Sequence, residues 1–228
     1  MSRNRQRDLI RVALFVCLAA LAAPALAVPL FPGATAFAVG EPDPIGGIVV
    51  AGGVPVPFAT AQYSGTLTST VLAGDASNPY GGLTFTYLLT NDAVSSGEIE
   101  RLTINDYLGF LTDVSFQIPT VDIVPTLNNR SIAGDVLGFT FIGAPVGAGT
   151  LTPGTTSALL VVQTDAPLFE PTFASVIDGT VVSVASFGPL VPEPSTLVLA
   201  GMGLASLPLV VRMRRRMKTG RRASAHSH

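Results

Sequence analysis

Residues 83–90 read Leu-Thr-Phe-Thr-Tyr-Leu-Leu-Thr, with apolar side chains at every odd position and threonine at three of the four even positions. Residues 113–118, Asp-Val-Ser-Phe-Gln-Ile, alternate between polar and apolar without a fault. A period of two is typical of β-strands that bury one face and expose the other to water. The same alternation runs through residues 63–71 and 137–141. These patterns predict an all-β fold.

Turn residues separate these runs. Asp178-Gly179 lies between two runs at 173–177 and 180–187 and is a typical signal of a two-residue hairpin turn. Residues 158–162 and 180–187 are mostly apolar and suit central strands. About eight strands over residues 59–191, with no helical period, predict an antiparallel β-sandwich of immunoglobulin-like or jelly-roll type.

The segment before this domain has a different composition. Residues 28–58 are rich in proline and glycine, as in Phe31-Pro32-Gly33 and Gly52-Gly53-Val54-Pro55. Such residues punctuate chains at turns and loops. We predict a linker or loosely packed lead-in here, with one short strand at residues 48–51.

Charge is segregated along the chain, and this limits the chemistry of the central domain. Residues 28–191 hold two arginines against 13 carboxylates, a net charge of −11. The single cysteine, Cys17, and both histidines, His226 and His228, lie outside this range, which also lacks lysine. A Ser-His-Asp triad, a His- or Cys-ligated zinc site, a disulfide and a lysine Schiff base are therefore excluded within it. We expect no cofactor, no nucleic-acid binding and no enzymatic activity.

The first 27 residues have the organisation of a secretory signal peptide. Four arginines precede an apolar run at residues 12–23, and Ala25-Leu26-Ala27 is the small-x-small pattern that signal peptidase accepts. Cleavage after Ala27 would make Val28 the first mature residue, and the expected partners are the secretion translocon and signal peptidase. An uncleaved anchor helix is the alternative.

The end of the chain has three parts in a fixed order. A Pro-Glu-Pro motif at residues 192–194 precedes an apolar run at 195–211, which is long enough to predict a transmembrane helix. A basic cluster at 212–218 follows, and residues 219–228 form a predicted cytoplasmic tail. Lysine and arginine stay on the cytoplasmic side, so the cluster would stop transfer and leave the acidic domain across the membrane. The arginines of this stop-transfer cluster are Arg212, Arg214, Arg215 and Arg216.

The string Val-Pro-Glu-Pro-Ser-Thr followed by this helix and arginine cluster resembles the PEP-CTERM sorting signal of Gram-negative bacteria, also known as the ice-binding-protein C-terminal domain. The resemblance covers residues 192–218 and implies processing by exosortase, a membrane protease-transpeptidase. It implies a transient anchor in the inner membrane, then the cell surface or extracellular matrix as the destination. The recognition residues that it implies are Pro192, Glu193, Pro194 and Ser195.

Two weaker patterns in the central domain suggest binding or catalysis. Glu98 and Glu100 share one face of a strand, where two carboxylates could act as acid and base on a glycosidic bond. We interpret them as an exposed strand face beside Arg101. A threonine face, which could bind ice, is the other pattern, and we interpret it as β-propensity on solvent-facing strands. Its members are Thr66, Thr68, Thr70, Thr84 and Thr86.

Asparagine and aspartate at strand ends could supply oxygen ligands to Ca²⁺, but none has the spacing of a known calcium loop. These residues are also the usual choice for turns, which is our interpretation. The three pairs are Asp75 with Asn78, Asn91 with Asp92, and Asn105 with Asp106.

The function that we expect is that of a non-enzymatic exported surface or matrix protein with a structural or adhesive β-sandwich. A module that binds exopolysaccharide or Ca²⁺ is the alternative. A hydrolase that relies on Glu98 and Glu100 is a third hypothesis.

Overall fold

The computed structural model describes residues 29–142 and 149–191, which form twelve β-strands and no helix. The strands make two six-stranded sheets. In spatial order, sheet I contains β2 (Gly40–Glu41), β7 (Thr112–Gln117), β10 (Leu160–Thr164), β5 (Thr84–Asn91), β4 (Ser64–Asp75) and β3 (Gly46–Ala59). Sheet II contains β1 (Thr35–Phe37), β8 (Leu127–Arg130), β9 (Leu137–Thr140), β6 (Arg101–Ile104), β11 (Phe169–Asp178) and β12 (Thr180–Pro189). The predicted all-β fold is confirmed.

One hydrophobic core joins side chains of both sheets in a sandwich-like arrangement. The alternating run at 83–90 forms most of β5, and Phe85, Tyr87 and Leu89 are fully buried, as the pattern predicts. Sheet II contributes Leu102 from β6 and Phe139 from β9 to the same cluster. Burying these large side chains is the main source of the domain's stability, since each contributes roughly 1.5–3 kcal/mol.

Two tyrosine hydroxyls connect the sheets inside this core. The hydroxyl of Tyr63 lies 3.0 Å from the carbonyl oxygens of Val176 on β11 and Thr180 on β12. Tyr87 on β5 donates to the carbonyl of Phe187 on β12 at 2.8 Å. Its oxygen therefore accepts from the Tyr107 hydroxyl, 2.7 Å away. Burial raises the pKa of both Tyr87 and Tyr107 above the ordinary tyrosine range, so these hydroxyls stay protonated.

The segment predicted as a lead-in is part of the sandwich. It contains β1, β2 and β3, and Leu30 is buried in the core. β1 pairs with β8 at the edge of sheet II, whereas β2 pairs with β7 at the edge of sheet I. The β2–β7 pair is parallel, unlike the other strand pairs of the described residues, and this departs from the purely antiparallel sandwich that the sequence predicts.

Glycines allow β3 to follow β4 despite its irregular sequence. β3 has register shifts between Val49 and Ala51 and between Gly52 and Pro55. Gly52 has a φ of +80°, and a Cβ atom there would lie 2.0 Å from the carbonyl oxygen of Ser69. Only glycine fits this bulge. Pro55 and Pro57 then remove N–H donors from this edge strand, which limits pairing with another chain.

The hairpin predicted at Asp178-Gly179 joins β11 to β12, but its register is not that of the predicted two-residue turn, because Ile177 pairs with Val181. Asp178 pairs with Thr180, and Gly179 between them has a φ of +58°. The strand predicted at 158–162 lies slightly later, at β10, and pairs with β5 and β7. Nine strands, β4 to β12, therefore occupy the described part of residues 59–191, close to the eight predicted.

Candidate functional site

The predicted sorting and cleavage residues lie outside the described residues. They are Pro192, Glu193, Pro194 and Ser195 of the motif, Ala25, Ala27 and Val28 of the signal peptide, and Arg212, Arg214, Arg215 and Arg216 of the basic cluster. The predicted transmembrane helix at 195–211 falls there as well. Across the described ranges, no helix is long and apolar enough to cross a membrane.

Asp75, a predicted turn residue, is a buried acceptor of five hydrogen bonds at the end of β4. Its Oδ1 accepts from the backbone N–H groups of Ile45 and Ser77, each at 2.9 Å, and from the Ser77 hydroxyl at 2.6 Å. Its Oδ2 accepts from the Thr84 hydroxyl at 2.8 Å and from Gln163 Nε2 at 3.0 Å. Burial alone would raise the pKa of this carboxyl, but the hydrogen bonds outweigh burial and hold the pKa below its ordinary value.

The other strand-end residues also form hydrogen bonds that hold neighbouring segments together. Asn78 Nδ2 donates to the carbonyls of Gly82 and Thr164, both at 3.0 Å, and Asn91 Nδ2 donates to the Leu151 carbonyl at 2.8 Å. Asp106 accepts a short hydrogen bond from the Thr172 hydroxyl. Within residues 29–142 and 149–191, no three His, Cys, Asp or Glu side chains are grouped so that they could hold a metal ion. Calcium binding by these residues stays a hypothesis.

The catalytic hypothesis from the sequence concerns Glu98 and Glu100. Glu98 and Glu100 lie on either side of the buried Ile99, both half-buried, and Glu98 accepts a short hydrogen bond from the Thr150 hydroxyl. Neither residue lines the two pockets of about 390 and 540 Å³ on the described surface. The Thr150 hydroxyl is thus the polar group that the structure brings to Glu98, and no hydrogen bond among the described residues joins Glu98 to Glu100.

The predicted threonine face is not a continuous exposed array. Thr66 faces Thr90 and Thr70 faces Thr86 across β4 and β5, as the alternation predicts. However, Thr84 is fully buried and Thr86 is only 4% exposed. Thr84 uses its hydroxyl to bind Asp75. The face therefore serves packing and hydrogen bonding on β5 and leaves no flat threonine surface for ice.

A groove of about 390 Å³ opens beside Arg130. Its walls include Phe31, Tyr80 and Phe110, and Phe31 is 63% exposed. Most of its lining is apolar. Sequence analysis did not find this groove, because its walls come from the predicted lead-in and from two loops distant in the chain.

Arg130 is a buried cation that forms no ion pair among the described residues. Its guanidinium donates five hydrogen bonds of 2.7–3.1 Å, and every acceptor is neutral. Burial lowers the pKa of this group, yet arginine keeps its charge in proteins. The acceptors are the carbonyls of Gly134, Leu30, Tyr107 and Phe110 and the hydroxyl of Thr112. All five donors are used, so Arg130 holds these loops together and has no donor left for a ligand.

Three buried carboxyl groups, Glu41, Asp43 and Asp113, form another feature that the sequence did not predict. They are called the carboxyl cluster below. Their side chains are only 7%, 2% and 2% exposed. Burial, followed by the charges of Asp113 and Asp43, raises the pKa of Glu41 to about 7. Burial also raises the pKa of Asp43, although a hydrogen bond from Ser115 opposes it. The sequence gives no local signal of this cluster, because Asp113 is far from Glu41 in the chain.

Comparison with known families concerns the end of the chain. Residues 190–216 match the family profile of the PEP-CTERM protein-sorting motif. The chain carries a PEP-CTERM sorting signal. The matched segment contains Pro192, Glu193, Pro194 and Ser195 and the arginines up to Arg216, so the resemblance seen in the sequence is confirmed. No curated protein and no solved structure matches the chain.

The PEP-CTERM signal implies sorting by exosortase. It implies export through a membrane-anchored intermediate toward the cell surface. The signal covers 27 of 228 residues, from 190 to 216, and follows the all-β domain in the chain.

Proposed function

We propose that this chain is a non-enzymatic exported protein of a Gram-negative bacterium, with an all-β domain that has a structural or adhesive role at the cell surface or in the extracellular matrix. The observation that carries the proposal is the PEP-CTERM signal at residues 190–216. A sandwich of immunoglobulin-like or jelly-roll type would be the delivered part. Signal peptidase and the translocon would act first, and exosortase would act on the anchored intermediate.

The position of the basic residues supports delivery across a membrane. Residues 28–191 contain two arginines, whereas the other lysines and arginines lie at the two ends of the chain, beside the predicted membrane segments. Lysine and arginine close to a membrane segment stay in the cytoplasm, so the domain between the two basic ends would be translocated. The predicted helix at 195–211 and the cluster at 212–218 would hold the intermediate in the membrane until processing.

Several observations support a role without catalysis. Residues 28–191 contain no histidine, cysteine or lysine. The buried carboxylate Asp75 and the buried cation Arg130 are saturated by hydrogen bonds to the protein itself. Glu98 and Glu100 stand apart from the groove. A domain with a structural or adhesive role needs no catalytic group.

Intact mass tests the proposal. The protein is recovered from cells with and without the exosortase, and its termini are read from the mass. We expect a species that begins at Val28 and ends near Pro192–Ser195 only when the exosortase is present. Added mass at that end would identify the final anchor.

A matched pair of variants sharpens this test. Replacing Pro192, Glu193 and Pro194 together with alanine should block processing completely, because the recognition segment is removed. Replacing Glu170 on β11 with alanine should leave processing unchanged. A carboxyl terminus at His228 in both strains would mean a plain membrane-tethered protein and would contradict the proposal.

A carbohydrate-binding role in the exopolysaccharide matrix, with or without Ca²⁺, is a second candidate, and the groove beside Arg130 favours it. Phe31, Tyr80 and Phe110 offer ring faces of the kind that stack on sugars. Saturable binding of purified polysaccharide that Phe31→Ala abolishes would favour this candidate over a purely structural role. Loss of that binding on addition of EDTA would add Ca²⁺ as a partner.

A further inference from the structure

Two segments of the chain share one edge of β7, whereas β10 pairs with its other edge. Pro29 pairs in antiparallel with Asp113, near the start of β7, and β2 pairs in parallel with the last two residues of the strand, which begin at Phe116. Val114 and Ser115 lie between these two pairings. The distance along the strand from Asp113 to Phe116 is about 10 Å. We call the edge of β7 at Val114 and Ser115 the short edge.

Hydrogen bonds fix the direction in which the chain passes the start of β7. The N–H of Leu30 donates to the Thr112 carbonyl at 2.9 Å, and the Thr112 hydroxyl donates to the Leu30 carbonyl at 3.0 Å. The side chain of Leu30 is buried in the core. Because the pairing at Pro29 is antiparallel, the chain direction there, followed toward the amino terminus, points along the short edge toward β2.

The short edge has room for few residues. An extended chain advances about 3.3 Å per residue, so about two residues fit between Pro29 and β2. The predicted cleavage after Ala27 leaves one residue, Val28, in front of Pro29. A leader that continued along this edge would meet Gly40 of β2. The short edge therefore suits a chain that begins at Val28 better than a strand that continues.

The carboxyl cluster lies at the short edge and contains an oxygen atom that lacks a donor. The Ser115 hydroxyl donates to Asp43 Oδ2 at 2.8 Å, and Asp113 is the pairing partner of Pro29. The side chain of Asp43 is buried, and its Oδ1 has no hydrogen-bond partner among the described residues. A buried carboxylate oxygen without a donor loses its hydration and gains nothing in return. Asp43 Oδ1 therefore marks a place for a hydrogen-bond donor.

The arginines of the domain donate to neutral groups. Residues 28–191 contain no lysine, and Arg101 and Arg130 are their two arginines. Arg101 donates to Thr140 and Asn129, and Arg130 donates to four carbonyls and one hydroxyl of the described residues. An amino terminus, like a lysine ammonium, has a positive charge and N–H donors for several acceptors.

We propose that the short edge is a binding site for the amino terminus that signal-peptide cleavage creates, and that the Val28 α-ammonium donates there to the carboxyl cluster, with Asp43 Oδ1 as an acceptor. The inference rests on the cleavage site of the proposed function. Hydrolysis of the Ala27–Val28 peptide bond adds water: the hydroxyl goes to the Ala27 carbonyl carbon and the hydrogen to the Val28 nitrogen. The proton of the new carboxyl group then moves to the amine, so a neutral amide becomes a cation.

This binding site makes the amino-terminal segment of the domain depend on cleavage. Before cleavage, Val28 has one N–H donor and no charge, and a leader along the short edge would compete with β2 for β7. After cleavage, the ammonium would hold Pro29 on β7 and supply the donor that Asp43 lacks. Removal of the signal peptide would therefore complete this edge of sheet I.

Titration of the Val28 amine tests the proposal on residues 28–228 in detergent. The chain is released from a fusion partner by a protease that leaves no extra residue, so it begins at Val28 whatever signal peptidase does. The rate of reaction with an amine-reactive ester, followed across pH by mass spectrometry of the terminal peptide, gives the pKa of the amine. We expect a pKa about one unit above the ordinary 7.7–8.0, so at pH 7 the amine should react about tenfold more slowly than in the urea-unfolded chain. Burial without a carboxylate partner would shift this pKa in the opposite direction.

Asp43→Asn keeps the shape of the side chain and removes its charge, so it should lower the pKa of the amine by about one unit. Glu170→Gln on β11, in sheet II, is the matched control and should keep the wild-type pKa. A wild-type pKa at or below about 8 would overturn the inference, as would an Asp43→Asn protein with an unchanged pKa. If Asp43→Asn fails to fold, the wild-type titration decides alone.

The proposed function fails by a different measurement. Intact mass of the protein from cells reports where the mature chain begins. A first residue other than Val28 would contradict the cleavage site of the proposed function, and it would not alter the titration of a chain made to begin at Val28.

Discussion

Replacing Arg130 with methionine is expected to lower the free energy of unfolding by about 3–5 kcal/mol, because several buried acceptors lose their donor together. Methionine fills much of the volume of the arginine stem but donates no hydrogen bond. The buried Gly134 carbonyl and the partly buried Phe110 carbonyl would lose the guanidinium donor, and the Tyr107 carbonyl would keep only the bond from the Phe110 N–H. Urea unfolding of the full chain in detergent, followed by tyrosine fluorescence, measures the change.

Arg101→Met is the matched control, because Arg101 is the other arginine of the domain. Among the described residues its guanidinium donates to Thr140 Oγ1 at 3.2 Å and to Asn129 Oδ1 at 2.6 Å, and the side chain is half-buried. We expect a loss below about 1.5 kcal/mol. Equal losses in the two variants would show that the hydrogen bonds of Arg130 are not what holds its loops.

The second large effect is expected for Asp75→Asn, which should lower the free energy of unfolding by about 2–4 kcal/mol at neutral pH. Asparagine has the same shape, but its NH₂ group replaces one of the two accepting oxygens. If the NH₂ group takes the place of Oδ1, it faces the backbone N–H groups of Ile45 and Ser77, and if it takes the place of Oδ2, it faces Gln163 Nε2. Thermal unfolding at pH 7 and pH 3 measures the effect.

The pH dependence gives this prediction a second readout. Because the folded pKa of Asp75 lies below its ordinary value of 3.8, the carboxylate stabilises the fold above that value. The contribution is lost as the pH falls through the folded pKa. The gap between wild type and Asp75→Asn should therefore narrow in acid. Asp122→Asn, at an exposed position, should match the wild type at both pH values, and a gap that stays constant would contradict the role given to the Asp75 charge.

The strands that sequence reasoning found are those in which local patterning and tertiary environment agree. β5 and β7 alternate because one face packs into the core, and the β11–β12 hairpin has glycine where φ is positive. β1 and β2, of three and two residues, escaped prediction because they are too short to show a pattern, and of β3 only residues 48–51 were predicted as a strand. β3 nevertheless pairs along its length with β4, since its glycines form bulges that an alternating pattern does not describe.

The functional features also divide into those that a contiguous stretch of sequence reveals and those that only the folded structure reveals. The sorting signal is contiguous, so its order of motif, apolar run and basic cluster could be read directly from residues 192–218. The roles of Arg130 and Asp75 depend on groups brought together from distant parts of the chain. Asp75 meets Gln163, and Arg130 meets Leu30, only after both sheets have formed. Composition indicated that few cations were present but could not indicate which loops they join.

The pairing of the first strands has a consequence for the timing of folding. β1 can pair only after β8 has been synthesised, and β2 can pair only after β7 has been synthesised. β12 is the last strand in the chain, and it provides the Phe187 carbonyl that Tyr87 needs. Long-range pairing of this kind slows folding. A chain that emerges amino terminus first therefore completes its domain only as Pro189 appears, immediately before the sorting signal that begins at residue 190.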